Sequence, residues 1–468
     1  MVKTVAFHNL GCKVNTYETE KMMKELAEQG FLIVPFDQKA DIYIVNTCSV
    51  TNIADRKSRQ MLHRARALNP DAVVVAAGCY VNTHADGDSS AGNAGSSEKP
   101  GAETEGVDIC ITNEQKKDIA DILNKYLATH DFTNPFNTGV DSMNPGEYPP
   151  CQLPEIQTIQ ATDASDNLSK ALHTRCFIKV QDGCNQFCTY CIIPYARGRI
   201  NSRPVSEIIT EIQDYTQEDY KEFVPTGIHI SSYGKDRPED GEDLLMLIQR
   251  ISETEGVKRI RLSSLEPRII TEDFARSLSN IDQLCPHFHL SLQSGSDTVL
   301  GRMNRHYTTD EFMESVDILR SYFNAPAITT DIITGFPGET EEEFAETVDF
   351  VRKADFYETH VFKYSRRRGT AADKMQGQLP EAVKHERSKV LIEMNRRRKE
   401  AFENLYISEK RRTEVLFEDM ENVGGVSYRT GYTREYIKVY DISGTHGAGD
   451  IADGTLARQG NMVLFEGQ

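Results

Sequence analysis

The sequence predicts an α/β protein in three parts: an N-terminal open parallel α/β domain, a central partial (β/α)6 barrel and a small C-terminal β-barrel. Three observations predict it. Residues 1–130 alternate short apolar runs with amphipathic stretches, which implies a parallel sheet covered by helices. From about residue 174 the alternation resumes as six βα units. Beyond a helical connector ending near 407, short strands separated by turn residues suggest a five-stranded barrel.

In order, VAFHNL reads as a strand, TYETEKMMKELAEQG as a helix stopped by Gly30, and DIYIVN as a strand. ADRKSRQMLHRARAL reads as a helix, AVVVAAG and VDICI as strands, and EQKKDIADILNKYL as a helix. Residues 84–106, rich in Gly, Ser and Ala, have almost nothing to bury and are expected to be disordered. Residues 131–170 carry five Pro and read as a linker. In the central domain, 171–406, the strands are RCFIKV, EFVPTGIH, KRIRLSS, HFHLSLQ, AITTDIITG and THVFKY. VSEIITEIQDYT, DLLMLIQRIS, EDFARSL, DEFMESVDILRSYF and EEEFAETVDFVRKA are helices between them. Six units leave such a barrel open on one side. Pro225 interrupts the second strand, so a bulge or a late start is expected there. In the last domain, 407–468, TEVLFE, VSYRTGYT, YIKVYD, IADGTLA and NMVLFE are strands.

With 468 residues, 39% hydrophobic and 26% charged, the chain is an ordinary globular protein too long for one core. No signal peptide is visible, and no run of about 18 apolar residues exists to span a membrane. Ten cysteines in such a chain argue for metal ligation in a reducing cytoplasm rather than for disulfides. A net charge of −18 argues against a nucleic-acid partner, but an RNA site needs only a local basic surface. Residues 56–66 hold five Lys or Arg and no acid; on a helix Arg56, Arg59, His63 and Arg66 share one face. Arg197, Arg199 and Arg203, then Arg366 to Arg368, then Arg396 to Lys399 are further basic clusters, so RNA contact is expected.

The cysteines carry the chemistry. Cys184, Cys188 and Cys191, in DGCNQFCTYCIIP, offer three thiolates and withhold a fourth. Clusters of the [4Fe–4S] type usually take four cysteines, so three leave one iron open to a small molecule. A structural zinc site would want four ligands, usually in C-x2–4-C pairs, and no fourth cysteine stands at such a spacing. Cys12, Cys48 and Cys79 each lie just past a strand, in HNLGC, VNTC and AAGC. Ligands of open α/β sheets bind beyond the strands' carboxyl ends, so these three would converge on one rim. Cys110, mid-strand, reads as core. In the central barrel Thr226-Gly227, Ser263-Ser264, Gln293-Ser294 and Thr334-Gly335 mark strand ends where barrel chemistry collects.

The C-x3-C-x2-C triplet resembles the signature of the radical S-adenosylmethionine (SAM) enzymes. Nearly the whole chain is similar to the methylthiotransferases of that superfamily, with GYTREYIKV resembling a motif of their terminal TRAM domain. The match is to the tRNA threonylcarbamoyladenosine type, carried by LGCKVNTYETE, NTCSVTNIADRKSRQM, QDGCNQFCTYCIIPYARGR, TGIHISSYGKD, RLSSLEP, HLSLQSGSD, FPGET and YSRRRGT. Sister enzymes acting on isopentenyladenosine usually read GCQMN and QNVNSY where this chain has GCKVN and IHISSYG.

This resemblance implies two [4Fe–4S] clusters, an auxiliary one on Cys12, Cys48 and Cys79 and one on Cys184, Cys188 and Cys191 that binds SAM. It implies a 5′-deoxyadenosyl radical that abstracts hydrogen from C2 of the adenosine at position 37, and delivery of a methylthio group there. It places Tyr190 beside SAM's adenine, Thr226 and Gly227 at its amino group, and Glu266, Gln293, Ser294, Thr334 and Gly335 near its ribose and adenine. The implied partners are the tRNA anticodon stem-loop, a reductant protein such as flavodoxin or ferredoxin, and a sulfur donor of unnamed identity. Because threonylcarbamoyl carries a carboxylate, Arg366 or Arg367 is expected to clasp it, with Arg56 and Arg59 as further tRNA contacts. The alternatives are methylthiolation of isopentenyladenosine tRNA or of a ribosomal protein, and a non-catalytic iron–sulfur RNA-binding module.

Overall fold

The structure, a computed structural model, describes residues 3–84, 106–130 and 174–467. The expected disordered insert and linker fall almost wholly outside these residues. The described chain forms two compact units: residues before 131 with Cys191–Arg199, and Thr174–Tyr190 with the residues from Ile200 onward.

The first unit is built on five parallel strands, β1 (Thr4–Asn9), β2 (Leu32–Val34), β3 (Ile42–Thr47), β4 (Val73–Gly78) and β5 (Ile109–Ile111), in the order β2-β1-β3-β4-β5. Near-continuous apolar runs make such strands because both faces are covered. Val5, Phe7, Ile42, Ile44, Val73 and Val75 pack on one side; Ala6, Tyr43, Val45, Val74 and Ala76 pack on the other. The helices Lys13–Glu28 and Asn52–Leu68 supply Met22, Met23 and Leu26 to the first face and Met61, Leu62 and Ala65 to the second. The three-residue strand β2 has no counterpart in the sequence reading. Cys110 lies on β5 but is only half-buried.

The second unit opens with β6 (Arg175–Asp182), β7 (Asn201–Ser202), β8 (Glu222–Gly227) and β9 (Arg259–Ile260), ordered β7-β6-β8-β9. It continues with β10 (His287–Gln293), β11 (Ala327–Thr334) and β12 (Glu358–Lys363), side by side. Bridges Ile260–Leu284 and Leu265–Leu290 link the two sheets, and β6 and β12 do not pair, so the six main strands form an open arc. The third strand is shorter than KRIRLSS predicts. Its chain leaves β8 after the Arg261 N–H bonds Phe223 O at 3.0 Å and joins β10, where the Leu265 N–H bonds His289 O at 2.8 Å. Pro225 stays inside β8, opposite Ile178, and β6 bulges at Val180, between Lys179 and Gln181. Alternation sends Phe288, Leu290 and Leu292 into the core beneath the helices and His289 and Ser291 to the opposite face.

A helix, Glu381–Ser408, leads to β13 (Thr413–Val423), β14 (Val426–Thr433), β15 (Lys438–Asp441), β16 (Ile451–Gln459) and β17 (Met462–Gly467), a closed barrel ordered β13-β14-β15-β17-β16. Its core of Val415, Phe417, Ile437, Val439, Leu456 and Phe465 is continuous with Ala327 and Tyr357 of the arc. Fully buried Arg259 and Arg261 flank Glu222 at 2.7 Å each and donate to the carbonyls of Thr433 and, for Arg261, Arg434. Among the described residues no helix is long and apolar enough to cross a membrane.

Candidate metal centres

In the first unit β1, β3 and β4 are adjacent, with Asn9 beside Asn46 and Thr47 beside Gly78. Their carboxyl ends therefore leave the sheet together, and a cysteine follows each within three residues. Cys12 is the N-cap of the helix Lys13–Glu28, Cys48 follows Thr47, and Cys79 opens the short helix Cys79–His84. Cys12 is exposed, whereas Cys48 and Cys79 are buried. Gly11, at φ +112°, makes the turn into Cys12; a Cβ there would lie 2.9 Å from Cys48 Cβ and 3.0 Å from its Sγ. Only glycine allows that approach. Asn15 ties the two turns together by donating to Leu10 O at 2.6 Å and Thr47 O at 3.0 Å.

Burial pushes the Cys48 thiol up to about 11; negative charge at Cys79 and Cys12 adds to the rise, while the Val50 N–H and Arg197 oppose it. Three thiols thus share one electrostatic neighbourhood and cannot all ionise cheaply without a cation. Soft thiolate donors on three converging turns fit an iron–sulfur cluster with one iron left open. Asn113 donates to Cys79 Sγ at 3.7 Å and to Ala196 O at 3.0 Å. Beside this rim Glu18 is held between Lys116, at 2.6 Å, and Arg197, at 3.0 Å, all three buried. Two cations to one carboxylate leave a positive wall for an anionic, thiolate-ligated cluster.

In the second unit Cys184 and Cys188 follow β6 and are both buried. The Gln186 N–H points to Cys184 Sγ at 3.4 Å. Arg305 donates to Cys188 Sγ at 3.3 Å and to Ser291 O at 3.1 Å, with its guanidinium 4.9 Å from the Tyr307 ring. Burial raises the Cys184 pKa, the Gln186 N–H opposes that, and Cys188, Arg305 and Glu266 are its charged neighbours. Cys191, half-buried, belongs to the first unit.

Tyr190 packs against Val299, Met303, Phe336, Tyr364 and Ala372. Thr226, the last residue but one of β8, has its hydroxyl 2.8 Å from Ser263 Oγ. A side chain at Gly227 would meet Gln181 Oε1 and Ile230 at 2.9 Å. Glu266 is buried, paired with Arg268 at 2.6 Å. Gln293 closes β10 in a left-handed conformation, φ 72°. Ser294 Oγ is 3.3 Å from Thr347 Oγ1, Thr334 Oγ1 donates to Phe362 O at 3.3 Å, and the Gly335 N–H donates to Glu339 at 2.8 Å. Those three are thus engaged with neighbouring packing. Arg366 is paired with Asp373 at 2.6 Å, and Arg367 is buried.

Many of the residues in the basic clusters are ion-paired. Arg197 is buried on Glu18, Arg203 pairs with Glu211, Arg396 and Arg397 with Glu393, Arg398 with Asp355, and Lys399 with Glu358. On the helix Asn52–Leu68, Arg56 and His63 are exposed, Arg59 reaches Tyr80 OH at 3.4 Å, and Arg66 is bound to Asp108 at 2.6 Å.

Two family models match the chain: the Radical SAM superfamily over residues 178–351 and Uncharacterized protein family UPF0004 over residues 4–91. Threonylcarbamoyladenosine tRNA methylthiotransferase MtaB of Bacillus subtilis is 39% identical over 93% of this chain and 90% of its own length. The tRNA-2-methylthio-N(6)-dimethylallyladenosine synthase of Thermoanaerobacter sp. (strain X514) is 32% identical over 84% of this chain and 78% of its own. The chain belongs to the radical SAM tRNA methylthiotransferases. Among solved structures, the radical SAM methyltransferase TsrM from Kitasatospora setae aligns with a TM-score of 0.53 at 16% identity, covering 80% of this chain and 77% of that one, which establishes likeness of fold.

The contacts that several residues of this family member make have no signal in its sequence. Arg305 lies 117 positions from the cysteine it touches. Glu18 and Lys116 look like ordinary helix-surface charges until folding buries them together. His229 stands in the TGIHISSYGKD motif, but its environment, in which burial above all holds its pKa down to about 4 beside Glu266 and Arg305, is visible only in three dimensions.

Proposed function

We propose that this chain inserts a methylthio group at C2 of N6-threonylcarbamoyladenosine-37 in tRNA, using two [4Fe–4S] clusters and SAM. The observation that carries the reading is the convergence of Cys12, Cys48 and Cys79 at the ends of three adjacent strands, in a chain that also holds a C-x3-C-x2-C triplet. Cys12, Cys48 and Cys79 hold the auxiliary cluster; Cys184, Cys188 and Cys191 hold the SAM-binding one. When bound, these groups supply radical hydrogen abstraction from an inert C2–H bond and a methylated sulfur, which no side chain can supply.

The chain's own residues bind, orient and enclose. Gly11 lets the Cys12 turn close on Cys48, while Lys116 and Arg197 offset the negative charge of the auxiliary site. Arg305 steadies Cys188 by a charge-assisted hydrogen bond. Tyr190, Thr226, Gly227, Glu266, Gln293, Ser294, Thr334 and Gly335 form or support the SAM pocket. Domain boundaries near 130, 171 and 407 separate a methylthiotransferase domain, a radical SAM domain and a TRAM-like barrel. The barrel, Arg56 and Arg59 receive the anticodon stem-loop. A flavodoxin- or ferredoxin-type protein supplies electrons, and the enzyme works in the cytoplasm.

Arg366 or Arg367 clasps the threonylcarbamoyl carboxylate. Replacing each by Ala is expected to erode discrimination between modified and unmodified adenosine, read by nucleoside mass spectrometry of tRNA; unchanged discrimination in both variants refutes that assignment. The activity itself is tested by nucleoside mass spectrometry of tRNA from a deletion strain. Loss of 2-methylthio-N6-threonylcarbamoyladenosine, restored by the wild-type gene and not by Cys184→Ala, is the expected result. An unaltered nucleoside profile rejects the reading.

A further inference from the structure

Besides the cysteines, the open arc carries a second convergence of ligand-type side chains. His289 on β10, Asp331 on β11 and His360 on β12 come from three consecutive parallel strands. Their neighbours Phe288, Leu290 and Ile332 lie in the core and Val361 packs against it, so strand alternation turns all three to the opposite, inner face. One ligand atom from each lies within 4.8 Å of the other two.

With its proton on Nδ1, His289 is held as metal-binding histidines are. His289 Nδ1 is 2.9 Å from Thr329 Oγ1, which fixes the ring, while Nε2 is 3.2 Å from Asp331 Oδ2. Ligating histidines are oriented in this way through their other nitrogen. A neutral imidazole lone pair and a carboxylate oxygen repel at that separation unless a proton or a cation lies between them. One proton serves one pair of atoms, whereas here three donors converge and the His289 and His360 rings are only 5.6 Å apart.

The surrounding charge favours a cation. Facing His360 are Asp331, Glu358, His289 and Lys399; Lys399 is paired with Glu358 at 2.9 Å, and Asp331 lies against His289 at 3.2 Å. Two imidazoles and one carboxylate are a donor set that holds borderline divalent ions and leaves coordination positions for water or a substrate oxygen.

We infer that His289, Asp331 and His360 form a binding site for a divalent transition-metal ion, separate in its ligands from both cysteine trios. The probe is Zn2+. Untagged, anaerobically purified full-length holoenzyme is equilibrated with zinc sulfate and desalted; zinc and iron are counted by mass spectrometry, and zinc affinity is measured by chelator competition. Wild type and the exposed-histidine control His385→Ala are expected to retain about one zinc per chain. His289→Ala, Asp331→Asn and His360→Ala are expected to weaken binding by more than the roughly 10–100-fold that loss of an outer partner alone causes, with iron content unchanged. Zinc retention equal in wild type and the three variants, whether none or adventitious, overturns the site. Should the His289 or Asp331 variant lose iron through misfolding, His360→Ala decides, since its side chain is exposed.

Discussion

Single residues set the chemistry at the sites. Gly11 is the clearest case, because its positive φ and its closeness to Cys48 leave no room for any side chain. Gly11→Ala is expected to lose about half the iron, if four irons sit in each site, while the other cluster remains; full iron content contradicts this. Arg305 makes a different contribution. A guanidinium bonded to Cys188 Sγ stabilises the more negative, reduced state of a cluster. Arg305→Gln is expected to make the midpoint potential of the SAM-site cluster more negative in an EPR-monitored titration, and an unchanged potential contradicts that role. The cysteines themselves were legible because their spacing is local, or because each follows an apolar strand. Arg305, Glu18 and Lys116 were not, since their partners are distant in sequence.

Strands and the charges they bury act at the next scale. Glu222 is fully buried, which alone raises its pKa, yet Arg259 and Arg261 prevail and hold it at about 2. The sign follows: a depressed carboxyl stabilises the fold above its ordinary pKa of about 4.3, and that stability is lost as pH falls through about 2. Glu222→Gln leaves two buried guanidiniums short of their partner and is expected to cost about 3–5 kcal/mol in urea unfolding at neutral pH. The deficit should narrow as pH falls from about 4.3 towards about 2; a deficit independent of pH contradicts the assignment. The same pairing explains why the third barrel strand was read too long: RIRLSS looks like one extended run, but its arginines turn inward to Glu222 and the C-terminal barrel while the chain changes partner strands. Apolar patterning made β10, β11 and the helix Glu341–Ala354 readable to the residue or nearly so. The basic runs are partly paired in a similar way, because Glu393 lies one helical turn from Arg396 and Arg397 and takes both.

For the whole molecule, function was more legible than architecture. The resemblance carried by the cysteine motifs implied the chemistry, whereas the division of the described residues into two units could not be read from the order of elements, since Cys191–Arg199 belongs with the N-terminal sheet and Cys184 and Cys188 do not. The proposed mechanism needs two separate three-cysteine clusters with different duties. The most direct measurement is anaerobic iron and sulfide quantification of wild type, Cys12→Ala and Cys184→Ala, with 5′-deoxyadenosine and methylthiolated tRNA assayed on the same samples. Each variant should lose about half the iron; Cys12→Ala should still cleave SAM yet modify no tRNA, and Cys184→Ala should do neither. Iron content unchanged in Cys12→Ala, or full tRNA modification by either variant, would contradict it.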